Sequence, residues 1–323
     1  MKKESKSIFR FLAAAMMAAT IMGCGAKTGG TTTGDAAEEE TTSQASASQT
    51  AGSVENSDST ETADNTESAQ KSEEQVEIQV FIAASLNTVM TDLAQRYQEE
   101  HPEVKITFNA DSSGTLLTQI QEGYECDIFF SAAQKQMNQL EEDGLMVEGS
   151  RANVVNNQVV VITWKGSNTK VTGLENLEAA ESLALAGGSV PVGRYTRQAL
   201  INLGKLEAAE DAAQITTDQV SQTLGGVEIS EQSNVSKVLL AVAEGSCEVG
   251  TTYYSDTYGY EDKLEILETV DYELSGNVIY PIAQVKNPEA DEAQTKAARE
   301  FMEYILSEDA KSVFQSYYFD TDV

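Results

Sequence analysis

Ser85, Ser112-Ser113-Gly114, Val192-Gly193 and Asn234-Val235 share one setting: each stands where a strand-like run gives way to a helix-like one. The first turn of a helix leaves backbone N–H groups without an intrahelical partner, and the helix dipole adds positive potential there. Serine hydroxyls and free amides at such a start are donors for an anion. Serine, asparagine and proline are also the ordinary residues of helix starts, so each junction taken singly reads equally as a plain cap. Asn234, ahead of Val238, Leu239 and Val242, is the strongest example of that plainer reading. A fifth junction, Thr251-Thr252-Tyr253-Tyr254-Ser255-Asp256, ends a strand in two adjacent tyrosines. Alternation sends their rings to opposite faces, so that one enters a cleft while the other packs.

Other chemistries find little support. The single histidine, His101, precedes Pro102 at the end of a helix-like run, which suits a helix stop and leaves Ser85 or Ser113 without a base. Cys126 and Cys247 lie in different halves of the chain, form no metal-binding spacing, and are expected as two separate thiols.

The elements that must position these junctions alternate, as in α/β architecture. Val76–Ala84 reads as a strand and Ser85–Glu100 as a helix, with Leu86, Val89, Met90, Leu93, Ala94 and Tyr97 at helical spacing. Val104–Asn109 (strand), Gly114–Glu122 (helix), Asp127–Ser131 (strand) and Gln134–Asp143 (helix) follow. Gln158–Trp164 is a β-branched strand, and Thr172–Glu181 is expected to be a helix. The second half repeats the logic: Leu183–Ala186, Val227–Ile229, Glu248–Tyr254 and Val278–Val285 as strands, Arg194–Leu203, Val235–Glu244 and Gln294–Ser307 as helices. Parallel sheets of this kind bind ligands beyond the carboxyl ends of their strands, and two such halves facing each other make a cleft.

The chain starts with Lys2, Lys3, Lys6 and Arg10, continues with the apolar run Phe11–Met22, and reaches Ile21-Met22-Gly23-Cys24. That is the form of an export signal, residues 1–23. Its end resembles the bacterial lipoprotein cleavage box, which implies lipidation of Cys24. Residues 24–75 hold few large apolar side chains and many Ser, Thr, Asp and Glu, the composition of an acidic disordered tether. The expected place of the protein is therefore outside the cytoplasm, held to the membrane through the lipid anchor alone. Lobe 1 is expected over residues 76–159 and 275–323, and lobe 2 over 160–274. From residue 77 onward 40 acidic residues face 15 basic ones, a poor surface for nucleic acid or anionic lipid. A small anion is not excluded, because exposed charges are screened beyond about 8 Å at physiological salt.

Taken together, Ala83-Ala84-Ser85-Leu86, Ser112-Ser113-Gly114-Thr115-Leu116, Asp127–Ala132, Val190–Thr196 and Tyr253 with the Tyr-Ser-Asp that follows it resemble the molybdate-binding proteins of bacterial ABC transporters. The resemblance spans Val76–Val323. It implies a type II periplasmic-binding-protein-like fold of two lobes, each a mostly parallel sheet flanked by helices. It further implies that Ser85, Ser113, Val192, Val235 and Tyr253 surround the oxyanion and bond to its oxygens rather than to the metal. Molybdate and tungstate, nearly equal in size and charge, are both expected ligands. A membrane permease is the expected partner, with a monomeric protein, no cofactor and no catalysis. Arg194 departs from the apolar residue expected in some members and is read as a surface side chain. The rivals are a sulfate- or phosphate-binding protein of the same fold, with Asp111 as an acceptor for a protonated ion, a serine-dependent hydrolase, and a surface lipoprotein that binds nothing small.

Overall fold

The computed structural model describes residues 75–323; the signal, Cys24 and the tether lie outside the described residues. Strand β1 (Val76–Ala83) runs through a 3-10 turn (Ala84–Leu86) into helix α1 (Asn87–Glu100). There follow β2 (Val104–Asp111), α2 (Ser113–Gln121), β3 (Ile128–Phe130), α3 (Gln134–Glu142), β4 (Ala152–Asn157) and β5 (Val159–Trp164). The second half holds β6 (Ser182–Ala186), α4 (Pro191–Asn202), α5 (Thr217–Thr223), β7 (Glu228–Gln232), α6 (Val235–Ala243) and β8 (Val249–Tyr253). It ends with β9 (Leu264–Thr269), α7 (Tyr272–Ser275), β10 (Val278–Gln284), α8 (Glu292–Ile305) and α9 (Glu308–Ser316).

These strands form two five-stranded sheets, β2-β1-β3-β10-β4 and β7-β6-β8-β5-β9. In the first, β2, β1 and β3 are parallel and β10 is antiparallel to both its neighbours. In the second, β7, β6 and β8 are parallel and β5 is antiparallel to both its neighbours. Each sheet thus has one reversed strand, and the expected two-lobed, mostly parallel α/β architecture is the one observed. Consecutive strands β4 and β5 belong to different sheets, so the chain crosses from one to the other at Asn157-Gln158. It crosses back between β9 and β10.

Helices cover the sheets by burying one stripe each. In α8 the stripe is Ala297, Ala298, Phe301, Met302 and Ile305, the spacing expected from sequence. Central strands are apolar on both faces, as in Val80-Phe81-Ile82 of β1, because helices lie on both sides. His101 is the C-cap of α1, its ring stacked on Tyr97 at 4.3 Å. Cys126 and Cys247 are both buried free thiols.

One expected element is different. Thr172–Glu181 is not an α-helix but a 3-10 segment, Leu174–Ala179, broken at Asn176 with φ −135°. The Asn176 side chain accepts from the amides of Thr172 and Gly173, and the Glu268 carboxylate accepts from the Leu174 amide. These are first-turn amides, which a helix leaves without partners; what departs from a helix is the backbone of Asn176 itself. Strands β4 and β9 and helices α5, α7 and α9 are present without having been read from the sequence.

Candidate functional site

The carboxyl ends of the parallel strands in both sheets meet across the cleft at a small cavity. Ser85, Ser113, Val192, Val235 and Tyr253 all line it, together with Asp111, Ser112, Ala132, Val190 and Pro191. The five junctions singled out by residue type are therefore brought to one place. No lysine or arginine lines the cavity.

Each lining donor is prepared by its own element. Ser85 sits in the 3-10 turn after β1, where only the Asn87 amide returns a bond, to the Ala84 carbonyl. Ser113 is the first residue of α2, and the hydroxyl of the preceding Ser112 accepts from the Thr115 amide. The hydroxyl oxygen of Ser113 accepts from the Ala132 amide at 2.9 Å, so its own hydrogen is left to donate. Proline at position 191 starts α4 at the point where an N–H would have had no partner, and the amide of Val192 follows it. Asn234 caps α6 through the Lys237 amide at 3.0 Å and places the Val235 amide at the helix start.

Tyr253 closes the ring from the end of β8. It is 1 % exposed, and its hydroxyl has no hydrogen-bond partner among the described residues. Burial raises its pKa well above 10, so the phenol stays protonated and can donate. Its backbone amide donates to the Asp256 carboxylate at 3.0 Å, which also accepts from the Thr252 hydroxyl at 2.7 Å. Burial pushes the Asp256 carboxyl up to about 6, against the pull of those two donors. Tyr254 points the other way, is 39 % exposed and lies against Tyr318.

The lobes touch around the cavity. Asn234 Nδ2 donates to Asp111 Oδ1 at 3.1 Å, and the same oxygen accepts from the Ser112 amide at 2.7 Å. Lys135 on α3 pairs with Asp211 of the other lobe, which also accepts from Arg194 Nε at 3.2 Å. Burial alone would raise the Asp211 carboxyl; Lys135, the Ala213 amide and Arg194 outweigh it and hold it at about 2. Arg194 is thus spent on a surface ion pair and does not line the cavity.

Three contributors were invisible as site residues in the sequence. Tyr280 lies in the apolar run of β10, where its hydroxyl contacts Ser85 Oγ at 2.8 Å. Asn157, at the crossing between the sheets, donates to Tyr280. Arg197 is fully buried and donates to the carbonyls of Ala186, Gly193 and Ile215, fixing the start of α4 against the end of β6. Tyr280 and Asn157 stand on strands and Arg197 on a helix, and nothing in their local spacing marks them as more than structural.

The arrangement offers hydrogens from neutral groups to a small volume. That suits an anion, whose charge-assisted hydrogen bonds are about twice as strong as neutral ones. The one carboxylate among the lining residues is Asp111, whose Oδ1 already accepts from the Ser112 amide and Asn234, and among the described residues no cluster of metal-ligating side chains occurs.

The family model for bacterial extracellular solute-binding proteins matches residues 78–320. A Bacillus subtilis protein provisionally named an ABC transporter substrate-binding lipoprotein is 29% identical over 78% of this chain and 89% of its own. The molybdate-binding protein of Haemophilus influenzae is 26% identical over 75% of this chain and 89% of its own. Among solved structures, the substrate-binding domain of a provisionally assigned molybdenum ABC transporter from Clostridium difficile is 29% identical with a TM-score of 0.55. That match covers 77% of this chain and 100% of the other.

Proposed function

The chain belongs to the family of bacterial extracellular solute-binding proteins, and we propose that within it this protein captures molybdate, and tungstate as well, for an ABC importer. Ser85 and Ser113 from one lobe and Tyr253 from the other give hydroxyl hydrogens; Val192 and Val235 give amides. In this reading the lobes close on the ion and hand it to a membrane permease; the relatives named as ABC transporter substrate-binding and molybdate-binding proteins support it. The relatives are binding proteins, and the role is capture and release. The protein works as a monomer held to the membrane by a lipid on Cys24, and the two lobes turn about the two chain crossings.

The observation that carries this reading is the buried, unpartnered Tyr253 hydroxyl aimed into a cavity lined by helix starts and free of cations. A buried polar group without a partner costs about 1–3 kcal/mol, a cost that a bound oxyanion removes. Neutral donors also leave no buried charge when the site is empty.

Calorimetry and thermal shift against a panel of oxyanions test it. Molybdate and tungstate should bind tightly and raise Tm at low concentration. Sulfate, being smaller, should stretch the hydrogen bonds of a rigid ring and bind far more weakly, since such bonds weaken steeply when lengthened or bent. Hydrogen phosphate is the arm for Asp111, whose carboxylate at the cavity wall could accept from a protonated ion. Equal or stronger stabilisation by sulfate or phosphate would mean a different oxyanion, and no response to any would end the reading.

A further inference from the structure

An oxyanion offers only acceptors, so a serine that serves it must keep its hydrogen pointed at it. Ser85 Oγ is 2.8 Å from the Tyr280 hydroxyl, and geometry at that contact alone allows either oxygen to be the donor. The direction is settled one residue further away. Asn157 Oδ1 accepts from the backbone amides of Gln158 at 2.9 Å and Ser255 at 3.4 Å. Backbone amides only donate, so the carbonyl oxygen of that side chain must face them and the amino group must face the opposite way. Asn157 Nδ2 therefore donates to Tyr280 at 3.2 Å, and to Ser255 Oγ at 2.7 Å. Tyr280 is fully buried, and Ser85 Oγ is the acceptor within its reach. With its lone pair taken by Asn157, the phenol gives its hydrogen to Ser85. The Ser85 hydrogen is then left for the cavity.

We propose that Tyr280 and Asn157 are positioning residues that fix the polarity of Ser85 as a donor to the bound oxyanion; this rests on the function proposed above. The chain of donors starts at the crossing between the sheets and runs Asn157 to Tyr280 to Ser85 to ligand. It turns a hydroxyl that could face either way into a one-way donor. Burial keeps the Tyr280 phenol protonated by raising its pKa well above 10.

A double-mutant cycle tests the link, with molybdate titrated by calorimetry into the wild type, Tyr280→Phe, Ser85→Ala and the double variant. Tyr280→Phe should weaken molybdate binding about three- to tenfold, the worth of one ordinary hydrogen bond. Added to Ser85→Ala it should cost almost nothing, because no hydroxyl remains to be oriented. A second variant, Asn157→Asp, keeps the acceptor for the two backbone amides but presents a second acceptor to Tyr280. The phenol should then turn toward residue 157 and draw the Ser85 hydrogen away from the cavity, with a larger loss than Tyr280→Phe. That extra loss should shrink in the Ser85→Ala background, whereas simple charge repulsion would persist there. Equal losses in both backgrounds, or no loss in the wild type, would overturn the relay while leaving the oxyanion function intact. A wild type that binds no oxyanion would instead sink the functional reading, and the relay with it.

Discussion

Ser113 and Tyr253 reach the same readiness to donate by different routes, one with its oxygen already taken by the Ala132 amide and one with no partner at all. Removing either hydroxyl deletes one charge-assisted bond to the proposed ion, about 1.5–3 kcal/mol or roughly ten- to a hundredfold in affinity. Ser113→Ala and Tyr253→Phe should therefore weaken molybdate binding without abolishing it, as read by titration. Tyr254→Phe should leave it unchanged, because that ring lies outside the cavity. Beneath Tyr253, Asp256 gives a pH signature in the free protein. Its carboxyl is raised from 3.8 to about 6, so between those values the native state holds a proton that the unfolded chain has released. Stability must then fall as pH rises through that window, and the full cost is present above it. Asp256→Asn, which keeps an acceptor oxygen for Thr252 and the Tyr253 amide, should flatten that part of a Tm-against-pH curve and raise Tm at neutral pH.

At the scale of elements, the start of α4 is the piece held most tightly from behind. A Cβ at Gly193 would collide with the carbonyl oxygens of Ala186 and Gly187, both backbone atoms. Gly193→Ala should push α4 off β6, cost about 1–3 kcal/mol of stability and displace the adjacent Val192 amide. Denaturation and molybdate titration of the same variant would check both effects, and a variant as stable and tight as wild type would break the link between packing and site. The same scale shows what the sequence could reveal. Helix starts were legible because Ser, Asn and Pro are chosen there for reasons local to the turn, and the apolar spacing after them gives the helix. Alternation put Tyr253 and Tyr254 on opposite faces and the family resemblance singled out Tyr253; of the two it is the buried one that lines the cavity. Tyr280 and Asn157 were not legible, because their importance depends on partners 195 and 123 residues away. The 3-10 segment at Leu174 was misread because the non-helical backbone of Asn176 leaves no mark on the apolar spacing around it.

For the whole molecule, closure is held by contacts of modest strength. Lys135 and Asp211 pair across the lobes with side chains 47% and 25% exposed, so the pair is worth no more than about 1 kcal/mol. Lys135→Ala should speed ligand release by no more than about fivefold, and the difference should fade at high salt, where exposed charges are screened. Stopped-flow release of the bound ion would measure both. The backbones also come close, since a Cβ on Gly114 would lie 2.8 Å from the Ser189 carbonyl oxygen of the other lobe. That division of the cavity between two lobes has a consequence for how cargo leaves. One lobe carries two of the proposed donors and the other three. Two charge-assisted bonds give about 3–6 kcal/mol, which barely meets the roughly 4–15 kcal/mol cost of immobilising a free solute. With the proposed donors so divided, the two-donor jaw does not hold the ion by itself; tightness is avidity between the jaws, and it falls once they separate further than the ion can bridge. A receiving protein need not compete for the ion, lower the pH or supply a counter-charge: prising the jaws apart is enough to discharge it.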